Sequence, residues 1–184
     1  MKSRLVLAVF ASLLPVAAWA HPGHGASGFT GGLVHPLSGL DHILGMLSVG
    51  IWASGGSRNA RRLVPLAFLF GMSAGGFMGI EGFFPSFLES AVAASVFASA
   101  LMVALSVRLP LTLQAGFAAL FALWHGMAHG AELPAMTHAA GYVAGFLFST
   151  ALLLGIGVAT GTLLREKRPL LGAGLTLLAA LSVI

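Results

Sequence analysis

The chain has 184 residues, 58% hydrophobic and 8% charged, with a formal net charge of +4. Soluble domains carry about 25% charged residues, so this composition excludes an ordinary soluble domain and points to an integral membrane protein. The absence of cysteine removes disulfides, thiolate metal sites, Cys nucleophiles and Cys-held iron–sulfur clusters; a nucleic-acid partner lacks the dense basic face it needs, and no G-x-x-x-x-G-K-[ST] loop is present for nucleotide hydrolysis.

Residues 1–20 read as a cleavable signal peptide. Lys2 and Arg4 give a positive start, "LVLAVFASLLPVA" an apolar middle, and "AWA" at Ala18–Ala20 a small-residue cleavage site. The alternative is an uncleaved first membrane helix. Cleavage leaves one domain, 21–184, beginning at His21 outside the cytoplasm. The amine and imidazole of His21, with His24 nearby, form a candidate cation trap, although Pro22 blocks the common square-planar chelate through the second amide nitrogen.

Beyond the signal, the pattern predicts an all-α bundle of six transmembrane helices, since a span needs roughly 20 apolar residues. They run near 33–54, 62–82, 87–107, 110–131, 136–163 and 168–184, separated by "SGGSRNARR", "GFFPS", "SVRLP", "GAELPA" and "REKRP". With an external N-terminus, Arg58, Arg61, Arg62, Arg108, Arg165, Lys167 and Arg168 all fall in cytoplasmic loops or at their edges. The loops assigned outside hold no Lys or Arg, as the positive-inside rule requires of a bacterial inner-membrane protein.

The first span opens with "HPLSGLDH". Pro36 suits the first turn of a helix, which sets Asp41 and His42 one to two turns below the outer surface. His35 and His42 are seven residues apart and so share a helical face. A charged Asp within the bilayer costs roughly 2.5–3.5 kcal/mol at its centre, so such groups face a cavity or a partner and mark a pathway by default. Glu81 ends the second span, where interfacial water alone would satisfy it. Glu89 opens the third, three residues after Ser86, a capping-box spacing that gives it a purely structural alternative. The fourth span ends "WHGMAHGAE"; His125, His129 and Glu132 lie at i, i+4 and i+7, within about 60° of one another on a helix. His138 opens the fifth span on the same outer side.

A single buried histidine is commonly a satisfied core group, but four histidines and two carboxylates at the outer ends of two helices form a candidate metal site. Imidazole and carboxylate without thiolate suit borderline divalent ions such as Ni²⁺, Co²⁺ and Zn²⁺, with Mn²⁺ and Fe²⁺ also open, and disfavour Cu⁺. Met46, Met72, Met78, Met127 and Met136 read as packing rather than thioether ligands. Glycines at four-residue spacing (Gly71/Gly75/Gly79, Gly141/Gly145, Gly157/Gly161) read as close helix contacts.

At these residues the sequence resembles the HupE/UreJ family of nickel and cobalt permeases. The resemblance rests on "HPLSGLDH", "WHGMAHGAE" and, more loosely, "PSFLESAVAASV", and extends over almost the whole chain after the signal. It implies uptake of Ni²⁺, with Co²⁺ as alternative cargo, supporting hydrogenase or urease maturation. It carries a metal-binding role onto His35, Asp41, His42, His125, His129 and Glu132, and adds Glu89. The expected protein is a permease rather than an enzyme, holding no prosthetic group. Its partners are the ion, the lipid bilayer and, in the cytoplasm, nickel chaperones. The rival from another class is a Zn²⁺-dependent intramembrane hydrolase using the same His/Asp cluster; a serine protease and a bis-His haem protein are further alternatives.

Overall fold

The computed structural model describes residues 28–133 and 139–182. The expected signal segment, His21, His24 and His138 lie outside those residues. Among the described residues the chain is helical, with α1 (Gly28–Ser38), α2 (Leu40–Gly55), α3 (Ala60–Ile80), α4 (Leu88–Ala104), α5 (Leu111–Ala131), α6 (Ala139–Leu163) and α7 (Arg168–Leu181). A 3-10 turn at Arg165–Lys167 precedes the last helix.

Three of these helices, α3, α5 and α6, are long and apolar enough to cross a membrane. At 1.5 Å per residue, a helix of about 21 residues reaches about 32 Å, enough for a hydrocarbon core of about 30 Å. Helix α4 is apolar but shorter, with 17 residues. The outward faces fit an apolar solvent: Leu66, Phe70 and Phe77 of α3 and Leu152 and Ile156 of α6 are exposed, where a helix facing water would carry polar groups.

The segment expected as one span over 33–54 is two helices. Helix α1 starts earlier, at Gly28, and Pro36 sits in its last turn rather than opening a helix. Pro36 has no N–H to give the Gly32 carbonyl, and Gly39 then takes an extended conformation (φ −104°, ψ 126°) before α2 begins. Ser38 Oγ donates to the His35 carbonyl (2.6 Å), satisfying one acceptor left over at the end of α1.

Helix α2 is the axis of the bundle. Every residue from Leu44 to Ser54 is buried, so apolar contacts surround it. On one side Met46, Val49 and Ala53 pack with Val64, Phe68 and Met72 of α3 and with Leu153 and Leu154 of α6. On another, Leu44, Ile51 and Trp52 pack with Val96 and Val103 of α4 and Leu175 of α7. Two polar bonds fix its C-terminal end: Trp52 Nε1 donates to the Val107 carbonyl (2.9 Å), and Gln114 Nε2 donates to the Trp52 carbonyl (3.1 Å).

The spaced glycines act as close contacts, as expected. A Cβ at Gly71, Gly75 or Gly79 of α3 would overlap the backbone of α5 at Ala119, Leu123 or Met127. On α6, Gly145 lies against the Phe29 backbone of α1, and Gly157 against Leu47 and Gly50 of α2. Gly116 of α5, by contrast, has open space where a Cβ would stand. Gly75→Ala should therefore lower stability by about 1–3 kcal/mol, the usual cost of overpacking, whereas Gly116→Ala should leave it unchanged or slightly raised. Thermal unfolding of the two purified variants in one detergent checks this; equal midpoints would mean that the α3–α5 approach is looser than described.

Candidate metal centre

The break at Gly39 decides where the polar groups meet. His35 closes α1, while Asp41 and His42 occupy the first turn of α2. Sharing one helical face was the expected reason for His35 and His42 to converge. The chain instead turns between them, and the two rings still lie edge to face, 6.0 Å apart. From the facing end of α5, His129 reaches between them.

His129 is the hub. Its Nδ1 lies 3.0 Å from His35 Nε2, and its Nε2 abuts Nε2 of His42. One nitrogen from each of His35, His42 and His129 falls within 4.8 Å of the others, a grouping able to hold a metal ion. Ligand atoms about 2.1 Å from an ion stand roughly 3.0–4.2 Å apart, so small side-chain adjustments suffice, with the abutting Nε2 atoms of His42 and His129 moving apart. His129 and His125 are buried, and His35 and His42 are half-buried.

Asp41 holds an imidazole rather than crowding the centre. His42 Nδ1 donates to Asp41 Oδ1 at 2.7 Å, which leaves Nε2 as the atom presented to His129. Glu132 Oε2 lies 3.8 Å from His129 Nδ1. The Asp41–His42 pair is the carboxylate–imidazole arrangement by which an outer group fixes ring orientation and raises ligand basicity, whereas Glu132 is exposed and too distant to hydrogen-bond His129.

His125 sits one turn deeper on α5 and outside the group of three, with its ring 5.9 Å from that of His42. Its Nδ1 donates to the Phe121 carbonyl (2.9 Å), while Nε2 is buried without a partner. That nitrogen points toward Gly45, where a Cβ would come within 3.6 Å of it.

A cavity of about 740 Å³ opens onto the cluster, lined by His35, Asp41, His42, His125, His129 and Glu132. Glu89 lines it too, from the first turn of α4. The capping box anticipated for Glu89 does not form: α4 starts at Leu88, so Ser86 stands one residue too early, and Phe87 caps without a side-chain bond. Glu81 is exposed at the end of α3 and does not line this cavity. Met46 and Met72 pack within the apolar core and Met127 is buried, while Met136 falls outside the described residues.

Sequence reasoning missed an aromatic wall. Phe146 of α6 lies 4.8 Å from the His129 ring and 6.0 Å from that of His35, and Tyr142 lies 5.8 Å from His35. The signal was available, because Tyr142 is the sole tyrosine of the chain and falls within the first two turns of the fifth expected span. The last helix was expected, but not its contribution here: Ala179 and Ser182 line the same cavity.

A family model described as HupE / UreJ protein matches residues 8–183. Protein HupE of Rhizobium leguminosarum bv. viciae is 46% identical over 90 residues, which cover 49% of this chain and 47% of that protein. The chain therefore spans, in that match, about half the length of the curated relative. No solved structure matches.

The centre makes a direct prediction for Ni²⁺ binding to the purified protein. Asp41→Asn should weaken it by about 10–100-fold, the usual effect of removing a group that orients a ligand, and His129→Ala should weaken it further because both other imidazoles converge on that ring. Met127→Leu should leave affinity unchanged. Calorimetric titration reads all three, and a Met127→Leu loss equal to that of His129→Ala would misplace the ligand face of α5.

Proposed function

Because the chain belongs to the HupE/UreJ family, we propose that it is a permease admitting Ni²⁺, with Co²⁺ as alternative cargo, through His35, His42 and His129. The observation that carries this reading is the convergence of three imidazoles, supplied by two separate segments, inside an otherwise apolar bundle. Polar groups are expensive there and mark pathways. Asp41 and Glu132 supply negative charge that offsets a dication's lost hydration, and Glu89 extends that charge to the cavity mouth.

The bundle counts six spans when α1 and α2 are taken together as the first and α3, α4, α5, α6 and α7 as the rest. The imidazoles then face the periplasm across the inner membrane. Every Lys and Arg after residue 4 lies in or beside the α2–α3, α4–α5 and α6–α7 connections, the pattern of cytoplasmic loops. A cleaved signal peptide over 1–20 gives the same orientation. His21, His24 and His138, on the same outer side, are candidate collectors of the ion, and Glu81 is a more remote one.

Imidazole with carboxylate holds a borderline dication firmly enough to admit it and weakly enough to release it, as conduction requires. The membrane potential drives a cation inward by about 2.3 kcal/mol per charge per 100 mV, and a dication by twice that. No coupling group beyond the cluster itself is required, so facilitated diffusion toward a cytoplasm that traps the ion, through chaperones serving hydrogenase or urease, is the proposed mode. The hydrolase alternative gains no support from the family or from the cluster.

Uptake of radiolabelled Ni²⁺ by cells lacking their own nickel carriers tests the proposal. The wild-type chain should restore uptake, and Asp41→Asn should nearly abolish it at unchanged expression; wild-type uptake by that variant would remove the cluster from the pathway.

External pH tests the coupling. Imidazole ligates only when neutral, so protons compete with the metal, and apparent affinity should fall as the medium is taken from about pH 7.5 to about pH 5 at clamped potential. Acid-stimulated uptake would instead reveal proton symport and overturn facilitated diffusion.

A further inference from the structure

The helices α2, α4 and α7 that line the imidazole cavity also enclose a second cavity, of about 170 Å³, at their opposite ends. Its polar lining is Ser106, Arg108, Arg165, Glu166 and Arg168, three positive charges against one negative. Arg168 donates through Nε to the Gly161 carbonyl (2.7 Å) and feels the like charges of Arg61, Arg108 and Arg165. Among the described residues, the ion pairs involve histidines and no arginine. Arg108 and Arg165 are exposed and Arg168 half-buried; guanidinium groups lining one cavity without a carboxylate ion pair repel one another, and an anion relieves that repulsion through charge-assisted bonds.

Ser106 adds an independent sign. It ends α4 in the left-handed conformation, with φ 52°, the one non-glycine residue at positive φ among those described. The turn is a Schellman motif: Ser106 N–H donates to the Val103 carbonyl (3.0 Å) and Val107 N–H to that of Met102 (2.9 Å). The same motif ends α3, where Gly82 fills the equivalent position with φ 81°. Glycine costs nothing there and serine does. What serine brings instead is a hydroxyl at the wall of the arginine cavity.

The surroundings favour a lipid as the source of the anion. Leu105, Leu163 and Leu170 flank these residues in the chain and are 67%, 78% and 72% exposed, so the cavity's polar lining is bordered by apolar side chains suited to acyl chains. Basic pockets between transmembrane helices have this construction when they hold anionic headgroups.

We propose that Ser106, Arg108, Arg165 and Arg168 form a binding site for a phosphate group, supplied by an anionic phospholipid of the adjoining leaflet, which fastens the far ends of α2, α4 and α7 together. The site is separate from the imidazole cluster and does not depend on the permease reading.

The test uses the purified full chain in detergent, titrated with phosphatidylglycerol, phosphatidylcholine and inorganic phosphate, and read by native mass spectrometry. Wild type should retain phosphatidylglycerol in preference to phosphatidylcholine. Arg108→Gln with Arg165→Gln should weaken that retention about 30-fold, from two basic groups at their usual worth beside an anionic surface. Arg58→Gln with Arg62→Gln removes the same charge from the same end outside the cavity, and should change retention by less than about 3-fold. Ser106→Gly should weaken retention while holding or raising the thermal midpoint, because it relaxes the turn; this variant keeps the proposal testable where a double variant does not fold. Inorganic phosphate that binds wild type, and loses to the double variant, without any preference for phosphatidylglycerol would keep the phosphate site and overturn the lipid source. Equal losses in the cavity and control variants, or no preference for either anion, would overturn the site itself.

Discussion

The structure depends on a helix that is buried on every side. From Leu44 to Ser54 no residue of α2 reaches the surface, so this stretch tolerates no unpaired charge and leaves polar chemistry to its two ends. Both ends are used. The N-terminal turn holds Asp41 and His42 against His129, and the C-terminal turn is fixed by bonds at Trp52 and borders the arginine-lined cavity. Helix α6 approaches α2 through glycines, Gly157 against Leu47 and Gly50 and Gly161 against Ile51 and Ser54, so its backbone holds the register of α2 closely. A shift of one residue would rotate His42 by about 100° and carry it away from His129.

Much of this was legible in the sequence, and the reasons differ from residue to residue. Helices α3, α5 and α6 are long apolar runs bounded by Gly, Pro and Arg, and such runs admit few alternatives. The shared helical face of His125, His129 and Glu132 follows from spacing alone; all three line the cavity, and of them His129 joins the imidazole group. The start of the first helix was misjudged because its glycines look like loop. Gly32 is helical because it lets α1 touch Tyr142 and Phe146 of α6, a tertiary reason invisible to local propensity. Pro36 misled in the same region: proline fits either the first turn of a helix or a place where a helix is about to end, and Gly39 selects the second.

The carboxylates mark the other limit. Composition could announce that Asp41 and Glu132 accompany histidines, but not whether each would ligate or orient. That distinction turns on a single hydrogen bond, from His42 Nδ1 to Asp41 Oδ1, set by the turn between α1 and α2. Glu89 shows the reverse. Its spacing from Ser86 offered a sufficient local explanation, and a helix start displaced by one residue removed that explanation and left the cavity.

Below the imidazoles the bundle changes character, and this bears on how an ion would leave them. Met46, Val49, Phe68 and Leu154 form a dry layer against α2, and a bare dication has nothing there to replace its hydration. Three polar atoms interrupt the dryness: His125 Nε2, Ser48 Oγ and Thr150 Oγ1 are buried without hydrogen-bond partners. A buried polar atom left unpaired costs about 1–3 kcal/mol, and of these three His125 also lines the cavity above. A conformation that wets or ligates them would recover part of that cost. The glycine contacts between α2 and α6 hold the two backbones at closest approach, so neither can move further toward the other. On the permease reading, an ion leaving the imidazoles would find His125 of α5, Ser48 of α2 and Thr150 of α6 as the polar groups of this layer.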